Sequence, residues 1–446
     1  MTFVLGALFA VVGVLLVYTA RHYFFTLNRL LGTHRQPYVD VTMARWPRLA
    51  VFVPAHNEEH VIRESLDSLL ASEYPEDAFV IVPVNDRSTD RTREIVDDYA
   101  ARFPGRVRPF HRQGGTPGKA AALHEASTLV DAEVHMVFDA DYIPGPRLLR
   151  QLAAPFFDPE VGAVMGRVVP LNVGRSLITR LLDLERSGGY QVDQQARMNL
   201  RLVPQYGGTV GGVRRVALEQ VGGWTEDSLA EDTDLTYRLL LHGWEVAYQN
   251  RSECYEEVPE SWPTRIRQIR RWATGHNQAL RRYLGPLMRR QRTLDLRQIV
   301  DGSLLLGVYV VPLLLLVGWI LALIVFFSGR LPAHGLVAIL AISSFSTVGN
   351  FAAFFEVAAA VRLDGSRNRV RLLPFLFFGF LVSAFAVIRA SVPRWPWWPG
   401  RGRTVTWHKT ERHRNTTGTN GLGTYALATA APTDGEPRWE YHRPDR

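Results

Sequence analysis

Two aspartates that directly follow an apolar segment have the spacing that best suits metal chemistry in this chain. Asp139 and Asp141 come after His135 to Phe138 and are separated only by Ala140. In an extended chain, residues i and i+2 point to the same side, so both carboxylates are predicted to face one hard cation. A Mg²⁺ or Mn²⁺ ion held by these oxygens would share its coordination with phosphates. An ordinary solvated loop after a strand is the alternative.

A second acidic group, from Glu231 to Asp234, opens a predicted helix that ends at Gly243. Three carboxylates in four residues stabilise a helix N-terminus, and this role alone explains two of them. A carboxylate held next to the hydroxyl group of an acceptor can also serve as a general base. The group is therefore a candidate for proton transfer, with helix stabilisation as the alternative.

Two polar loops follow the first two predicted strands. One contains Pro54, Asn57 and Glu58 and opens a helix, whose free N–H groups suit an anionic or polar ligand. The other contains Asp86, which can accept a hydrogen bond from a uracil ring or a ribose hydroxyl. A serine and an aspartate further along this second loop would also cap the next helix without any ligand. The first loop would equally serve as an ordinary connection from strand to helix.

Basic side chains complete the set of candidates. Lys119 opens a helix behind three glycines and is placed to reach a phosphate, but Ala120 stands where a P-loop has Ser or Thr. Gln268, Arg271 and Trp272 fall in one helical stretch. An arginine beside a tryptophan offers a clamp for a diphosphate and a platform for a sugar ring. A basic helix at a membrane surface is the alternative.

These candidates lie in a region, residues 45–297, whose pattern predicts one α/β domain. The predicted strands are Leu49–Pro54, Phe79–Val84 and His135–Phe138, and the predicted helices between them are Glu59–Leu70 and Asp90–Tyr99. Repeated strand-helix-strand units favour a parallel sheet. Ligands bind such sheets outside the carboxyl ends of the strands, where the candidate loops fall.

Apolar runs predict membrane helices on both sides of this domain. Thr2–Ala20 is followed by Arg21 and preceded by no basic residue, which favours a signal anchor with a cytosolic C-terminal side over a cleaved signal peptide. Ser303–Ser328 and Leu331–Phe355 are long enough to span a bilayer. Leu372–Ile388 is at the short end of the range, so it either spans or re-enters.

The predicted organisation is an anchor and juxtamembrane segment at 1–44, the α/β domain at 45–297, membrane helices at 298–392, and a basic interfacial segment with a disordered polar tail at 393–446. The formal net charge of +8 comes largely from Lys and Arg beside apolar runs. The sequence has no stripe of basic and aromatic residues of the kind that binds nucleic acid, so nucleic-acid binding is not predicted. The single cysteine, Cys254, excludes an intramolecular disulfide and a Cys-rich zinc site.

Taken in order, these segments resemble a family 2 glycosyltransferase with a GT-A fold. The resemblance covers residues 45–272 and continues through the membrane helices. It is closest to processive synthases, namely those of cellulose, hyaluronan, chitin and bacterial poly-N-acetylglucosamine. The ordered set that ends in Gln268-x-x-Arg271-Trp272 before membrane helices is its most specific feature. The implied fold is a Rossmann-like α/β domain with a mixed sheet, flanked by N- and C-terminal transmembrane helices.

The resemblance implies a role for each matching residue. The nucleotide-sugar pocket would be lined by Pro54, Asn57, Glu58, Asp86, Lys119 and Asp139. Asp139 and Asp141 would hold Mg²⁺ or Mn²⁺ against the diphosphate, with Asp141 the more direct ligand, and Asp232 would be the catalytic base. Acceptor and diphosphate contacts would come from Glu231, Gln268, Arg271 and Trp272. Asn85 and Arg87 depart from the family pattern, which usually has Asp and Gly at these positions.

The implied activity is an inverting, metal-dependent transfer of a sugar from a UDP-sugar to a growing β-linked polysaccharide, with UDP-N-acetylglucosamine or UDP-glucose favoured. The expected partners are this donor, a polysaccharide or lipid acceptor, membrane lipids and an export or accessory subunit. The expected location is the plasma membrane, with several spans and a cytosolic catalytic domain. Two alternatives stay open: a non-processive transferase with a lipid acceptor, and a non-catalytic scaffold or exporter subunit.

One segment raises a question of topology. Trp407–Arg412 resembles a short cytosolic segment that lies near the pocket in some family members. One span before the domain and three after it would place this segment on the opposite side of the membrane. Re-entry of Leu372–Ile388 would keep it on the side of the domain, and this is the favoured expectation.

Overall fold

A computed structural model of the chain describes residues 1–35, 45–226, 228–289, 294–328, 340 and 347–391, without the side chains of 347–350 and 367. Two predicted features, the interfacial segment Pro393–Arg403 and Trp407–Arg412, lie outside the described residues.

One eight-stranded mixed sheet forms the centre of residues 45–289, called here the sheet region. Its strands are β1 (Leu49–Ala55), β2 (Phe79–Asp86), β3 (Phe110–Arg112), β4 (Val134–Val137), β5 (Ile143–Pro144), β6 (Val161–Pro170), β7 (Gly211–Arg214) and β8 (Glu245–Glu256). They lie in the order β3-β2-β1-β4-β7-β6-β8-β5. The first four of these are parallel, β7 is antiparallel to both its neighbours, and β5 is antiparallel to β8. The predicted parallel arrangement therefore holds for one half of a sheet that is mixed overall.

Helices cover both faces of the sheet and continue beyond it. They are α1 (Thr2–Leu31), α2 (Ile62–Leu70), α3 (Thr92–Arg102), α4 (Lys119–Ser127), α5 (Leu148–Ala153), α6 (Leu177–Ser187), α7 (Gln195–Asn199), α8 (Arg215–Gln220), α9 (Glu231–Leu241), α10 (Trp262–Met288), α11 (Leu296–Leu306), α12 (Val311–Phe327), α13 (Thr347–Leu363) and α14 (Leu376–Ser391). A π-helix, Gly188–Gln194, joins α6 to α7. Short 3₁₀ helices occupy Glu76–Ala78, Ala154–Phe157, Val308–Val310 and Arg367–Phe375.

Alternation along β1 shows how the sequence produces three layers. Leu49, Val51 and Val53 pack in a core shared with α2 and α3, whereas Ala50 and Phe52 pack in a second core shared with α4, α8 and α9. Successive side chains of a strand point to opposite faces, so a strand that is apolar throughout needs helices on both sides. The sheet is therefore buried between two helix layers, and only its edges and strand ends are open to ligands.

The chain reverses its direction of winding between β1 and β4. From β1 it proceeds outward through β2 to β3, and then α4 returns it to β4 on the other side of β1. In open α/β sheets, the crevice at such a reversal lies outside the carboxyl ends of the strands and is the usual ligand site. The ends of β1, β2 and β4 and the start of α4 all meet there.

Three helices among the described residues are long and apolar enough to cross a membrane by length and composition: Thr2–Leu31, Val308–Phe327 and Asn368–Ser391. They correspond to the predicted spans Thr2–Ala20, Ser303–Ser328 and Leu372–Ile388. The predicted span Leu331–Phe355 falls mostly outside the described residues, apart from the start of α13. The N-terminal half of α1 packs against the C-terminal end of α12 through Leu8, Val12 and Val325.

A buried ionic network joins the first helix to the sheet region. Arg21 of α1 donates to Asp193 at 2.8 Å and to Asp301 at 2.9 Å. Arg197 of α7 donates to the same two carboxylates, at 2.5 Å and 3.0 Å. This junction network (Arg21, Asp193, Arg197 and Asp301) fixes the C-terminal part of α1 against the sheet region and α11.

Candidate active site

The loops after β1 and β2 hold each other in place. Asn57 accepts a hydrogen bond from Thr89 N at 2.7 Å and donates its own backbone N–H to Ser88 Oγ at 2.9 Å. Glu58 N donates to Thr92 Oγ1 at 2.8 Å, which ties the start of α2 to the start of α3. The Asn57 side chain is thus engaged between the two loops, and Pro54 lies just before it in β1.

Asp86, at the end of β2, is surrounded by donors from the protein itself. Its carboxylate accepts from Arg112 at 2.8 Å, from Arg87 at 2.9 Å and from Gly118 N at 3.2 Å. Burial opposes ionisation, but the hydrogen bonds of Arg87 and Gly118 and the charge of Arg112 hold the pKa of Asp86 below its ordinary value. Arg87 itself has φ +56°, the left-handed region that glycine adopts most readily. Arg87 therefore adopts a backbone conformation that glycine, the usual family residue at this position, would adopt with less strain.

The acidic pair after β4 lies in a turn. The strand ends at Val137, and Tyr142 N donates to the Asp139 carbonyl at 3.0 Å, so the extended geometry used to predict a common side for both carboxylates was wrong. The turn leaves the Asp139 side chain 32% exposed, whereas Asp141 is only 2% exposed. Of the two carboxylates, Asp139 is the one that the site opens toward.

Lys119 gathers the acidic groups of the site around one ammonium. Its Nζ donates to Asp139 Oδ1 at 2.5 Å and to the Gly208 carbonyl at 2.8 Å, and it lies 3.9 Å from Glu231 Oε1. Burial favours the neutral amine, but the charges of Asp139 and Glu231 outweigh it and raise the pKa of Lys119. The lysine therefore stays charged, and it links residues that are far apart in sequence.

Glu231 and Asp232 stand at the first turn of α9, beside this lysine. Gly208 makes room for them: it has φ +72°, and a Cβ there would lie 3.2 Å from Asp232 Cβ. Burial raises the pKa of both carboxyl groups, although Lys119 and Arg271 favour their ionised forms. A carboxylate with a raised pKa in a crevice is a candidate proton acceptor. The alternative of helix stabilisation applies instead to Asp234, two residues further on.

Asp234 is fully used by the protein. It accepts from Thr225 at 2.6 Å, from Arg238 at 2.8 Å and from Tyr283 at 2.5 Å. These bonds connect α9 to α10 and to the loop before it. Asp234 is therefore structural, and it differs in this respect from Asp232.

A neutral histidine supports the residue next to Asp232. The Thr233 hydroxyl lies 3.2 Å from His276 Nδ1, and His276 Nε2 lies 3.0 Å from the Leu305 carbonyl. Burial lowers the pKa of His276 to about 4. A neutral ring that donates from Nε2 to the carbonyl must accept at Nδ1 from the hydroxyl. α9, α10 and α11 are thus connected by hydrogen bonds directly behind the candidate base.

The stretch that ends in Trp272 lies on α10. Arg265 donates to Gln268 Oε1 at 2.8 Å, and its guanidinium lies 5.2 Å from the centre of the Trp272 ring. Arg186 of α6 lies 5.5 Å from the same ring. Arg271 is close enough for its charge to favour the ionised forms of Glu231 and Asp232. The tryptophan therefore sits among guanidinium groups, as a platform for a polar ring would.

Sequence reasoning missed a polar chain that joins the two halves of the site. Tyr142 donates to Glu256 Oε2 at 2.6 Å, and Arg186 contacts Glu256 Oε1 at 2.7 Å. Tyr142 follows the Asp139 turn, and Arg186 flanks Trp272. No local pattern marks Arg186 or Glu256, since they come from α6 and the end of β8 and meet only in the fold.

The donor set of the Asp139 turn suits a hard cation that is shared with a ligand. Among the described residues, no three His, Cys, Asp or Glu side chains gather to hold a metal by themselves. Two carboxylates completed by phosphate oxygens or water are, however, the usual protein share of a Mg²⁺ site. Asp139 therefore offers an exposed oxygen to such an ion and Asp141 only a buried one, and Lys119 keeps the turn from carrying an uncompensated charge.

Comparisons with known proteins show the family of this chain. A family model described as "Glycosyltransferase like family 2" matches residues 47–275. The "Probable glycosyltransferase YdaM" of Bacillus subtilis (strain 168) is 31% identical over 61% of this chain and 64% of its own length. The "Beta-monoglucosyldiacylglycerol synthase" of Synechocystis sp. is 31% identical over 63% of this chain and 59% of its own length. The chain thus spans less than two thirds of the length of these two curated relatives.

A solved structure gives the same fold. The "Mannosyltransferase PcManGT from Pyrobaculum calidifontis in complex with GDP-Man and Mn2+" superposes with a TM-score of 0.55 at 22% identity. The match covers 82% of this chain and 99% of that protein. At this level of identity, the likeness establishes the fold alone, and it confirms the mixed α/β sheet of the GT-A type.

Proposed function

The chain belongs to the family described as Glycosyltransferase like family 2, and from this premise we propose that it is a membrane-bound hexosyltransferase. It would take the sugar of a nucleoside-diphosphate sugar at the crevice between β1 and β4 and pass it to an acceptor hydroxyl. The proposal applies the predicted roles of Asp139, Asp141, Asp232 and Arg271 to the site described above.

One observation carries this proposal, namely the arrangement around Lys119. The lysine lies 2.5 Å from Asp139 and 3.9 Å from Glu231, so the turn after β4 and the start of α9 face one another across a single cation. A diphosphate needs positive charge, and an acceptor hydroxyl needs a base within reach. Both requirements are met here within one small cluster, which supports a transfer reaction rather than a scaffold role.

In the proposed reaction, Asp232 accepts the proton of the acceptor hydroxyl. The oxygen of that hydroxyl attacks the anomeric carbon at the same time. The bond between that carbon and the diphosphate oxygen breaks on the opposite face, so the configuration inverts. Lys119 and Arg271 would stabilise the negative charge on the departing diphosphate. A divalent cation bound with Asp139 and Asp141 would supply further neutralisation of this leaving group.

The donor proposed first is a UDP-sugar, either UDP-N-acetylglucosamine or UDP-glucose, and the acceptor proposed first is a growing β-linked polysaccharide. Support comes from Gln268, Arg271 and Trp272 on one helix, with two guanidinium groups within 5.5 Å of the centre of the Trp272 ring. Such a platform holds a sugar unit after transfer. GDP-mannose belongs among the donors to be tested, because the solved structure of the same fold is a complex with it.

A donor screen on the purified protein in detergent tests this function. UDP-N-acetylglucosamine, UDP-glucose and GDP-mannose are supplied in turn with Mg²⁺ or Mn²⁺, and the released nucleotide and the products are measured by mass spectrometry. We expect one donor to be consumed by the wild-type protein and left intact by Asp232→Asn. Failure of every donor, with correctly folded protein and both metals, would favour the non-catalytic alternative.

A lipid acceptor is the second candidate. A small apolar recess lies between α6, α10 and α14, and its wall includes Trp262, Phe380 and Arg265. Arg265 also lies over the Trp272 ring, so this apolar recess, which would suit a lipid chain, adjoins the proposed sugar platform. The product size separates the candidates: a ladder of increasing mass indicates a polymer, and one or two sugars on an extractable lipid indicate a lipid acceptor.

A further inference from the structure

The last described helix, α14, runs along the N-terminal part of α10 over its whole length of 16 residues. At the start of both helices, Leu376 and Trp262 share one apolar cluster. At the other end, Asn277 Nδ2 donates to Ser391 Oγ at 3.1 Å. A second apolar cluster joins the two helices between these points. The paired stretches, Trp262 to Asn277 and Leu376 to Ser391, contain the same number of residues, so the helices run side by side in the same direction.

α10 cannot cross a bilayer. It carries six arginines: Arg265, Arg267, Arg270, Arg271, Arg281 and Arg282. Each arginine near the centre of a membrane costs about 2.5–3.5 kcal/mol even on the most lenient scale. The same helix also holds the site residues beside Glu231 and Asp232, so it belongs to the sheet region. Because α14 packs against α10 along its whole length, α14 lies at the same depth relative to the membrane as α10.

Both ends of α14 also meet the ends of the membrane helices that lie nearest the sheet region. Leu376 packs with Val357 and Val361, at the C-terminal end of α13. The other end shares its cluster with Tyr309, immediately before α12. An upright helix would meet its neighbours near the sheet region at one end only. α14 instead lies across the bases of α12 and α13.

The outer face of α14 is aromatic and uncovered among the described residues. Phe377, Phe378, Leu381 and Phe385 are between 52% and 61% exposed. Their spacing places them in one stripe of the helix, opposite the face that packs on α10. Arg389 beside this stripe is exposed and can extend to lipid headgroups.

We propose that α14 is an in-plane amphipathic helix whose Phe377–Phe385 stripe inserts among the lipids of the leaflet that faces the sheet region. Although it is long and apolar enough to span, it does not cross, so both of its ends, Leu376 and Ser391, lie on the side of the sheet region. An amphipathic helix of this kind buries its apolar face about 5–10 Å into the boundary between headgroups and acyl chains. The inference goes beyond the proposed sugar transfer and does not depend on it.

Single-cysteine labelling tests the predicted side. The only native cysteine, Cys254, is fully buried, so the wild-type chain serves as the unlabelled blank. Thr417→Cys reports on the tail, Leu129→Cys on the sheet region and Thr2→Cys on the opposite end of α1. With a membrane-impermeant maleimide on right-side-out and inside-out vesicles, we expect position 417 to label together with 129. Labelling of 417 together with position 2 would overturn the proposal.

Depth measurements on spin-labelled protein in liposomes test the orientation directly. Nitroxides at Phe377 and Phe385 should lie at equal depth if α14 is in plane, whereas an upright helix would separate them by about 12 Å, eight residues of rise. Leu316 and Ile324 on α12 form a matched control, because they are also eight residues apart and exposed. We expect a depth difference for the α12 pair and none for the α14 pair. A depth difference of similar size in both pairs would show that α14 spans.

Discussion

Two groups of partly or fully buried carboxylates in this molecule carry charge in opposite ways. In the junction network, Asp193 and Asp301 each accept from both Arg21 and Arg197, so every negative charge has two positive partners. In the active site, Glu231 and Asp232 stand side by side and depend on Lys119 and Arg271. Lys119 is already engaged with Asp139 at 2.5 Å.

The directions of the pKa shifts follow from this difference. At the junction, burial opposes ionisation, but Arg197 and Arg21 outweigh it and lower the pKa of Asp193. In the site, burial is the larger effect and raises the pKa of Glu231 and Asp232. A fully paired carboxylate stabilises a fold, whereas an incompletely paired one is available to a ligand or a proton. The contrast separates structural from functional acids more clearly than their positions in the sequence do.

Removal of the proposed base should have the largest effect on catalysis. Asp232→Asn keeps the shape of the side chain but removes its ability to take a proton. A general base contributes about 10²- to 10⁴-fold to a reaction rate, so kcat should fall by that factor while nucleotide-sugar binding is retained. Turnover and equilibrium binding of the donor, measured on the same preparation, give the two quantities.

Asp234→Asn is the matched control, since it changes the same chemical group one half-turn further along α9. Asp234 is held by Thr225, Arg238 and Tyr283, so its loss should lower the thermal stability and leave kcat per folded molecule nearly unchanged. If Asp232→Asn kept most of the wild-type rate, Asp232 would not be the catalytic base.

Breaking the junction network should mainly affect stability. Asp301→Asn leaves Arg21 and Arg197 without one of their two carboxylates, and the Asp301 side chain is only 6% exposed. Loss of one partner of a buried ion pair costs about 3–5 kcal/mol. The unfolding temperature in detergent should therefore drop clearly, with kcat per folded molecule retained. Asp131→Asn, at a side chain that is 69% exposed, should leave the unfolding temperature unchanged.

A close backbone approach should link stability to substrate affinity. A Cβ on Gly275 of α10 would lie 2.7 Å from Ala230 N, directly before Glu231. Gly275→Ala must therefore push α10 away from the acidic pair, at a cost of about 1–3 kcal/mol. We expect a lower unfolding temperature and a higher KM. Gly285→Ala on the same helix is the control, because a Cβ there would meet nothing within 4 Å. It should change neither the unfolding temperature nor KM. Equal KM values for both variants would contradict the proposed position of Arg271 and Trp272.

Much of the fold could be predicted because its signals are local. The apolar run of β1 and the polar loop after it predicted a strand and a helix, and the structure has them at Leu49–Ala55 and Ile62–Leu70. The shape of the Asp139 turn could not be predicted, because periodicity carries no information once a strand has ended. The antiparallel position of β7 was also inaccessible, since strand order depends on contacts between distant segments.

Some residues of the site could be predicted and others could not, for the same reason. Lys119, Asp139 and Glu231 each follow a local pattern, and the structure brings them together. The chain from Tyr142 through Glu256 to Arg186 has no local pattern, and only folding assembles it. Whether a carboxylate is paired also depends on distant arginines, so no local pattern could show that Asp193 is fully paired and Asp232 is not.

Acidification should separate the two groups of carboxylates by their opposite shifts. Because burial raises the pKa of Asp232, its base form is lost as the pH falls toward values still above the ordinary aspartate pKa of about 3.9. The pKa of Asp193 is lowered, so the stability that it contributes is present above the ordinary value and is lost only as the pH falls through the lower one. Activity should therefore decline at a higher pH than the fold. Profiles of kcat, donor binding and unfolding temperature over the same pH range test this order, and a simultaneous loss of kcat and unfolding temperature would show that the site and the junction hold their charges alike.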